Sequence, residues 1–319
     1  MAKKSIMAGI DIGGTTTRMA LIDDEGAFLK EAVLKTQDYP RFSDFAQTVA
    51  GKMQKLLEDV QNVAVCEGIG VAAPSVDAAG RLKAPANLSW GTVDLKAELA
   101  KFFSIPIAVT NDANAAALGE MTYGGARGME NFLIVTLGTG IGGGVVVNGR
   151  VYAGQNGFAG EFGHVIVKPE GRQCRCGRRG CLETYVSANG LRRTVLEMMA
   201  RDLRKTGLRQ HSPETIDSKL IFEYASAGDS LAIAAFQETG QLLGQALANL
   251  AAMFDPEAIF LFGGLAEAGD FLLKPTQQAF ESSLLYLYKG RISLRLTQIS
   301  RNRGAVLGAS ALARRRLRH

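Results

Sequence analysis

His164, Cys174, Cys176 and Cys181 form the pattern H-x9-C-x-C-x4-C. Three thiolates and an imidazole are the ligands of a tetrahedral zinc, and Gly177 and Gly180 supply the bends that fold so short a loop around one ion. Because all four ligands come from protein, no position is left for substrate, so the zinc (Zn2+) reads as structural. Glu161 and Glu183 flank the cluster, which would hold both carboxylates in place. A His164 with one ring nitrogen on the metal keeps the other for a ligand hydroxyl.

A second polar group lies in PIAVTND, an apolar run ending in Asn111 and Asp112, followed by the helical ANAAALGEM. Ligands of α/β proteins bind at such strand ends. Asp112 could simply cap the helix or could accept a proton from an attacking hydroxyl. Asn87 in PANLSW, with Asn111, Asp112, Glu161, His164 and Glu183, makes an array suited to several neighbouring hydroxyls, as on a sugar.

Two glycine-rich turns complete the set. Asp11-Ile12-Gly13-Gly14-Thr15-Thr16 lies between two strand patterns, where bare backbone N–H groups and threonine hydroxyls suit phosphate, and Asp11 could hold magnesium through water. Gly138, Thr139, Gly140, Gly142 and Gly143 belong to a G-x-G-x-x-G stretch. A dinucleotide-binding fingerprint needs a helix after the glycines, whereas VVVNGRVYAG reads as a strand and hairpin. No G-x-x-x-x-G-K-[ST] occurs, which excludes a P-loop. The pair of turns instead suits a triphosphate, and Gly263 and Gly264 after AIFLF could let the chain pass close to adenosine.

The elements that must position these residues are legible as patterns. IMAGIDI, TTTRMALI and AFLKEAVL form an antiparallel meander. Phe42, Phe45, Val49, Met53, Leu56 and Val60 recur at helical spacing, and a strand follows around Gly68–Ala73. FLIVTLG, GGVVV and RVYAG repeat the meander, with helical segments and AIFLFGG after it. This predicts an internal duplication: two α/β lobes facing a nucleotide cleft, one over 1–120 completed by a C-terminal helix at 303–319, the other over 121–302 with the zinc loop. The crossing point is expected near Gly119 to Gly128.

The chain has 319 residues, 47% apolar and 21% charged, an ordinary globular composition and too long for one core. The net charge of +5 owes most of its excess to Arg314, Arg315, Arg316 and Arg318, which read as the solvated end of a helix. No nucleic acid and no membrane partner is expected, and clustered rather than dispersed cysteines point to the cytoplasm.

DIGGT, NDANAAALGE, GTGIGGG, GEFGH and the C-x-C-x4-C loop, in that order, resemble the ROK family of bacterial sugar kinases and sugar-responsive repressors, over nearly the whole chain. The resemblance implies an actin-like, or ribonuclease-H-like, ATPase duplication and ATP- and Mg2+-dependent phosphorylation of a hexose. Glucose is the first expectation; N-acetylglucosamine, N-acetylmannosamine, allose or fructose are alternatives. It further implies Asp112 as general base, with Asn87, Asn111, Glu161, His164 and Glu183 as sugar contacts, and a homodimer or higher homo-oligomer. Ser75 stands where glucokinases of the family usually have glycine. A repressor would need a DNA-reading module ahead of DIGGT, and that strand is expected to begin almost at residue 1.

Overall fold

The structure is a computed structural model and describes residues 3–83 and 88–317. The chain divides into two compact units, one of Met1–Met129, Gly144–Ala159 and Thr297–His319, the other of Glu130–Gly143 and Gly160–Leu296.

The first unit opens with the meander β1 (Lys4–Ile12), β2 (Thr16–Ile22) and β3 (Phe28–Lys35), followed by α1 (Phe42–Val60) and β4 (Ala64–Ala73). A short hairpin, β5 (Arg81–Lys83) with β6 (Thr92–Asp94), precedes α2 (Leu95–Ala100), β7 (Ile107–Asn111) and α3 (Asp112–Tyr123). The sheet order is β3-β2-β1-β4-β7, with β1, β4 and β7 mutually parallel. Parallel pairing brings the carboxyl ends of β1 and β7 to one edge, so Asp11 and Asn111–Asp112 share that edge with only β4 between them.

The apolar spacing of α1 becomes one buried face: Phe45, Val49, Met53, Leu56 and Val60 lie in a core with Ile6, Ile10, Ile69 and Val71. Each such side chain contributes about 1.5–3 kcal/mol of burial. Trp90 donates its indole N–H to the Tyr39 carbonyl at 2.8 Å and lies tilted with its ring centroid 4.5 Å from that of Phe45, which anchors Trp90 to the first unit's core.

The second unit carries β8 (Phe132–Leu137) and the start of β9 (Ile141–Val147), whose end and β10 (Arg150–Val151) fall within the first unit's residues. Then follow α4 (Glu183–Val186), α5 (Ala188–Arg201), α6 (Ser218–Ser226), α7 (Ser230–Phe254), β11 (Ala258–Phe262), α8 (Asp270–Ser283) and β12 (Ser293–Leu296). The order β10-β9-β8-β11-β12 matches that of the first sheet, with β8, β11 and β12 parallel. The duplication read from the two meanders is thus present strand for strand.

The terminal helix α9 (Gly304–Leu317) packs on β1, β4, β7 and α3. The approach is backbone on backbone: a Cβ on Gly70 would lie 1.6 Å from the Ala309 carbonyl oxygen, and one on Gly308 equally close to that of Ala115. Glycine is required at both.

Two expectations differ from the structure. Gly119 lies inside α3, close against the Gly304 carbonyl, rather than in a crossing loop. Residues 144–159 group with the first unit instead of the second, because Ala78 N–H donates to the Asn156 carbonyl and Arg315 to that of Gly149.

Candidate active site

At the carboxyl edge of the first sheet, Asn111 is the N-cap of α3, its side-chain oxygen accepting the Asn114 N–H at 2.6 Å. Asp112 is therefore the first helical residue and not the cap. Its carboxylate accepts the adjacent Ala113 N–H, at 2.9 Å. The side chain reaches solvent, yet enough surrounding protein displaces its water to push its pKa above the ordinary carboxylate range. Asp11, half-buried at the end of β1, is pushed up to about 7, first by loss of water, then by the negative charge of Asp112, with Arg18 opposing. The charge of Asp112 thus acts on Asp11 across the strand edge, and a cation placed there would relieve it.

The Gly13–Thr16 turn is closed by the Gly13 N–H donating to the Thr16 carbonyl at 3.1 Å, which leaves Gly14 and exposed Thr15 at its tip. Asn87 lies outside the described residues. Ser75 has φ +53°, a left-handed conformation that glycine adopts without strain and serine does not.

In the second unit, the glycine turn between β8 and β9 is held from both sides. Gly138 N–H donates to the Gly140 carbonyl and Gly142 N–H to the Thr136 hydroxyl. The start of α5 grips its carbonyls, Ala188 N–H on Gly138 and Asn189 Nδ2 on Thr139. Four glycines therefore do different work. Gly143 is a packing residue, since a Cβ there would strike the Phe162 ring at 2.2 Å. Gly263, at φ +107°, lies against the Leu137 backbone, and the Leu265 N–H donates to the Leu137 carbonyl. Gly263 thus stands beside Leu137, the residue that leads into the Gly138–Gly140 turn.

Glu183 joins this turn to the cysteine cluster. Its Oε2 would be 2.9 Å from a Cβ on Gly140, and its Oε1 lies 3.0 Å from Cys174 Sγ and 3.7 Å from His164 Nδ1. The ligand atoms of His164, Cys174, Cys176 and Cys181 all lie within 4.8 Å of one another. A tetrahedral zinc with Zn–S bonds of about 2.3 Å sets its sulfurs about 3.8 Å apart. Cys176 and Cys181 are 3.6 Å apart, and Cys174 Sγ is 3.8 Å from His164 Nδ1. Gly177 and Gly180, at φ +89° and +76°, make the expected bends. Burial and Glu183 push the Cys174 thiol up to about 12, whereas the Arg178 N–H lowers Cys176 to about 6. The protein alone opposes ionising all three thiols together; a divalent cation would remove that opposition. The donor set fits zinc, with Nδ1 as the histidine ligand and Nε2 turned to Glu161, 3.9 Å away.

One residue that no motif marked holds this region together. Arg172, 9% exposed, donates to Glu197 at 2.9 and 2.6 Å, to the Thr184 and Gly190 carbonyls and to the Thr194 hydroxyl. Its own N–H donates to the Tyr185 hydroxyl. Arg172 thereby ties the metal loop to α4, which begins at Glu183. A single arginine in GRQC carries no spacing signal.

The profile of the ROK family matches residues 7–316. The chain belongs to the ROK family. It is 36% identical to the glucokinase of Halalkalibacterium halodurans over 94% of this chain and 92% of that one, and 31% identical to the glucokinase of Thermotoga maritima over 98% of each. The crystal structure of a ROK family glucokinase from Streptomyces griseus, in complex with glucose and AMPPNP, matches with TM-score 0.80 at 30% identity, covering 97% of this chain and 99% of that one. The fold is accordingly the actin-like ATPase fold of ROK kinases. Among the described residues, no helix is long and apolar enough to cross a membrane.

Proposed function

We propose that the chain is an ATP-dependent hexose kinase acting on glucose, with Asp112 as general base. The observation that carries this reading is the division of labour at the start of α3: Asn111 caps the helix, so Asp112 is free to face a substrate at a strand end where a second carboxylate, Asp11, waits for a cation. The full-length likeness to glucokinases supports glucose as acceptor.

In the reaction, the 6-hydroxyl oxygen forms a bond to the γ-phosphorus, the bond from that phosphorus to the β,γ-bridging oxygen breaks, and ADP leaves with that oxygen. The hydroxyl proton passes to the Asp112 carboxylate. Magnesium, when bound with ATP, neutralises charge on the phosphates. Asp11 would hold it through water, and Gly13, Gly14, Thr15, Thr16, Gly138, Thr139, Gly140 and Gly142 line the phosphate segments. Asn87, Asn111, Glu161, His164 and Glu183 contact the sugar hydroxyls. Zinc is structural and holds His164 and Glu183 in their places. We further propose a cytoplasmic homodimer or higher homo-oligomer without nucleic-acid or membrane partners.

The test is ATP- and Mg2+-dependent ADP release from the zinc-loaded protein against glucose, mannose, allose, fructose, N-acetylglucosamine and N-acetylmannosamine. A clear preference for glucose is expected. Preference for another sugar would transfer the specificity, and no turnover on any would remove the kinase reading.

A further inference from the structure

The first unit contains a cavity of about 300 Å³ that takes in only one of the residues assigned to the sugar, Asn111. It opens between edge strand β7, α3, the chain around Val151–Gly157 and the end of α9. Its volume is at the lower end of small-molecule sites, about 300–1,000 Å³. Val109, Leu118 and Leu312 give it an apolar wall, while Arg315 and Arg316 stand on α9.

The charges there do not balance. Arg315 donates to the Gly149 carbonyl at 3.0 Å and to Met121 Sδ, both neutral, and among the described residues neither it nor Arg316 has a carboxylate partner. Burial and the neighbouring Arg150 lower the pKa of Arg315, the behaviour of a cation without a counter-ion. The one acid in the wall, Asp77, is already paired with Arg81 at 3.0 Å and Lys83 at 3.4 Å and accepts the Ala79 and Arg81 N–H groups. Among the described residues the solvated-helix-end reading fits exposed Arg316; it does not account for Arg315 folded into a cavity wall or for buried Arg314 paired with Asp24, and Arg318 lies outside the described residues. Thr110 adds a hydroxyl to the lining, and Asn114, 2% exposed, leaves its Oδ1 without a hydrogen-bond partner.

We propose that this cavity binds a small phosphate-bearing anion. The two guanidinium groups take the phosphate, as planar forked donors do, and the apolar wall takes whatever organic part it carries. Two sources share this chemistry, free inorganic phosphate and a sugar phosphate.

Calorimetric titration of the full-length protein with inorganic phosphate and with glucose 6-phosphate, at constant ionic strength, separates them. Two variants that add a negative charge to the lining locate the binding. Arg316→Glu and Ala78→Glu both alter exposed positions of the lining, and unchanged melting temperatures without anion would verify their folds. Each variant is expected to weaken binding at least about tenfold, Arg316→Glu by losing a charge-assisted hydrogen bond and Ala78→Glu by setting a like charge against the anion. Equal affinity for both probes identifies free phosphate as the occupant; tighter binding of glucose 6-phosphate identifies the sugar phosphate. No binding by the wild type at ~10 mM, or binding that both variants leave unchanged, overturns the proposal.

Discussion

Asn111 accepts the Asn114 N–H at 2.6 Å, and this single hydrogen bond decides what Asp112 can do. A helix start needs one capping side chain. Because Asn111 supplies it, the neighbouring carboxylate is released from structural duty while remaining at the strand edge.

The two residues should therefore fail differently. Asp112→Asn is expected to lower kcat by about 10²–10⁴-fold, with melting temperature and sugar affinity near those of the wild type. Asn111→Ala is expected to lower stability by about 1 kcal/mol through loss of the cap. Substantial turnover by Asp112→Asn in steady-state assays would mean that another group takes the proton.

Asp11 offers a pH test. Its pKa of about 7 lies above the 3.8 of a free aspartate, so between these values the folded protein holds a proton that the unfolded chain has released. Stability contributed at this site therefore falls as pH rises from about 4 to about 7. Asp11→Asn removes the ionisation and should be more stable than wild type at pH 8, on the order of 1–2 kcal/mol, with little difference near pH 4. Thermal melts at the two pH values check this; identical curves at pH 8 would refute it. Loss of water around Asp112, which raises its own pKa, should place the acid limb of kcat/KM above the ordinary aspartate range, since Asp112 acts ionised.

Metal analysis should find one zinc per chain, and Cys176→Ser should lose it. Chelation is expected to lower Tm by ~10 °C or more, because metal binding energy in such loops is folding energy. Sugar affinity should fall as well, since Glu183 and His164 belong to the same cluster. A folded, zinc-free protein with unchanged glucose affinity would separate the metal from the sugar.

Ser75→Gly relieves a residue at φ +53°. Strain relief favours the variant, while the greater freedom of glycine in the unfolded chain opposes it, so the net change should stay within about 1 kcal/mol. Its informative readout is the ratio of kcat/KM for glucose to that for N-acetylglucosamine. A ratio unchanged from wild type would show that the serine side chain plays no part in selecting the sugar.

The elements with strong periodicity were readable in advance: α1 from Phe42 to Val60, the three-strand meander, and α9. So was the cysteine cluster, because ligand chemistry constrains both residue type and spacing. What escaped were features created only by distant packing. The different tasks of Gly138, Gly143 and Gly263 depend on a helix start, a phenylalanine ring and a neighbouring strand, none adjacent in sequence. The grouping of residues 144–159 with the first unit rests on hydrogen bonds to Ala78 and Arg315. Arg172 gains its importance wholly from five partners brought to it by folding.

The glycine-mediated seat of α9 also bears on the order of biosynthesis. β1, β4 and β7 leave the ribosome before the second unit, but the helix covering them, pressed onto Gly9 and Gly70, is translated only after it. Until then their apolar surface lacks its native cover, and the second unit, whose sequence is complete by Leu296, has all its residues first. A ribosome stalled shortly before Gly304 should therefore expose a first sheet still open on one face, in need of a chaperone or of this fourteen-residue helix.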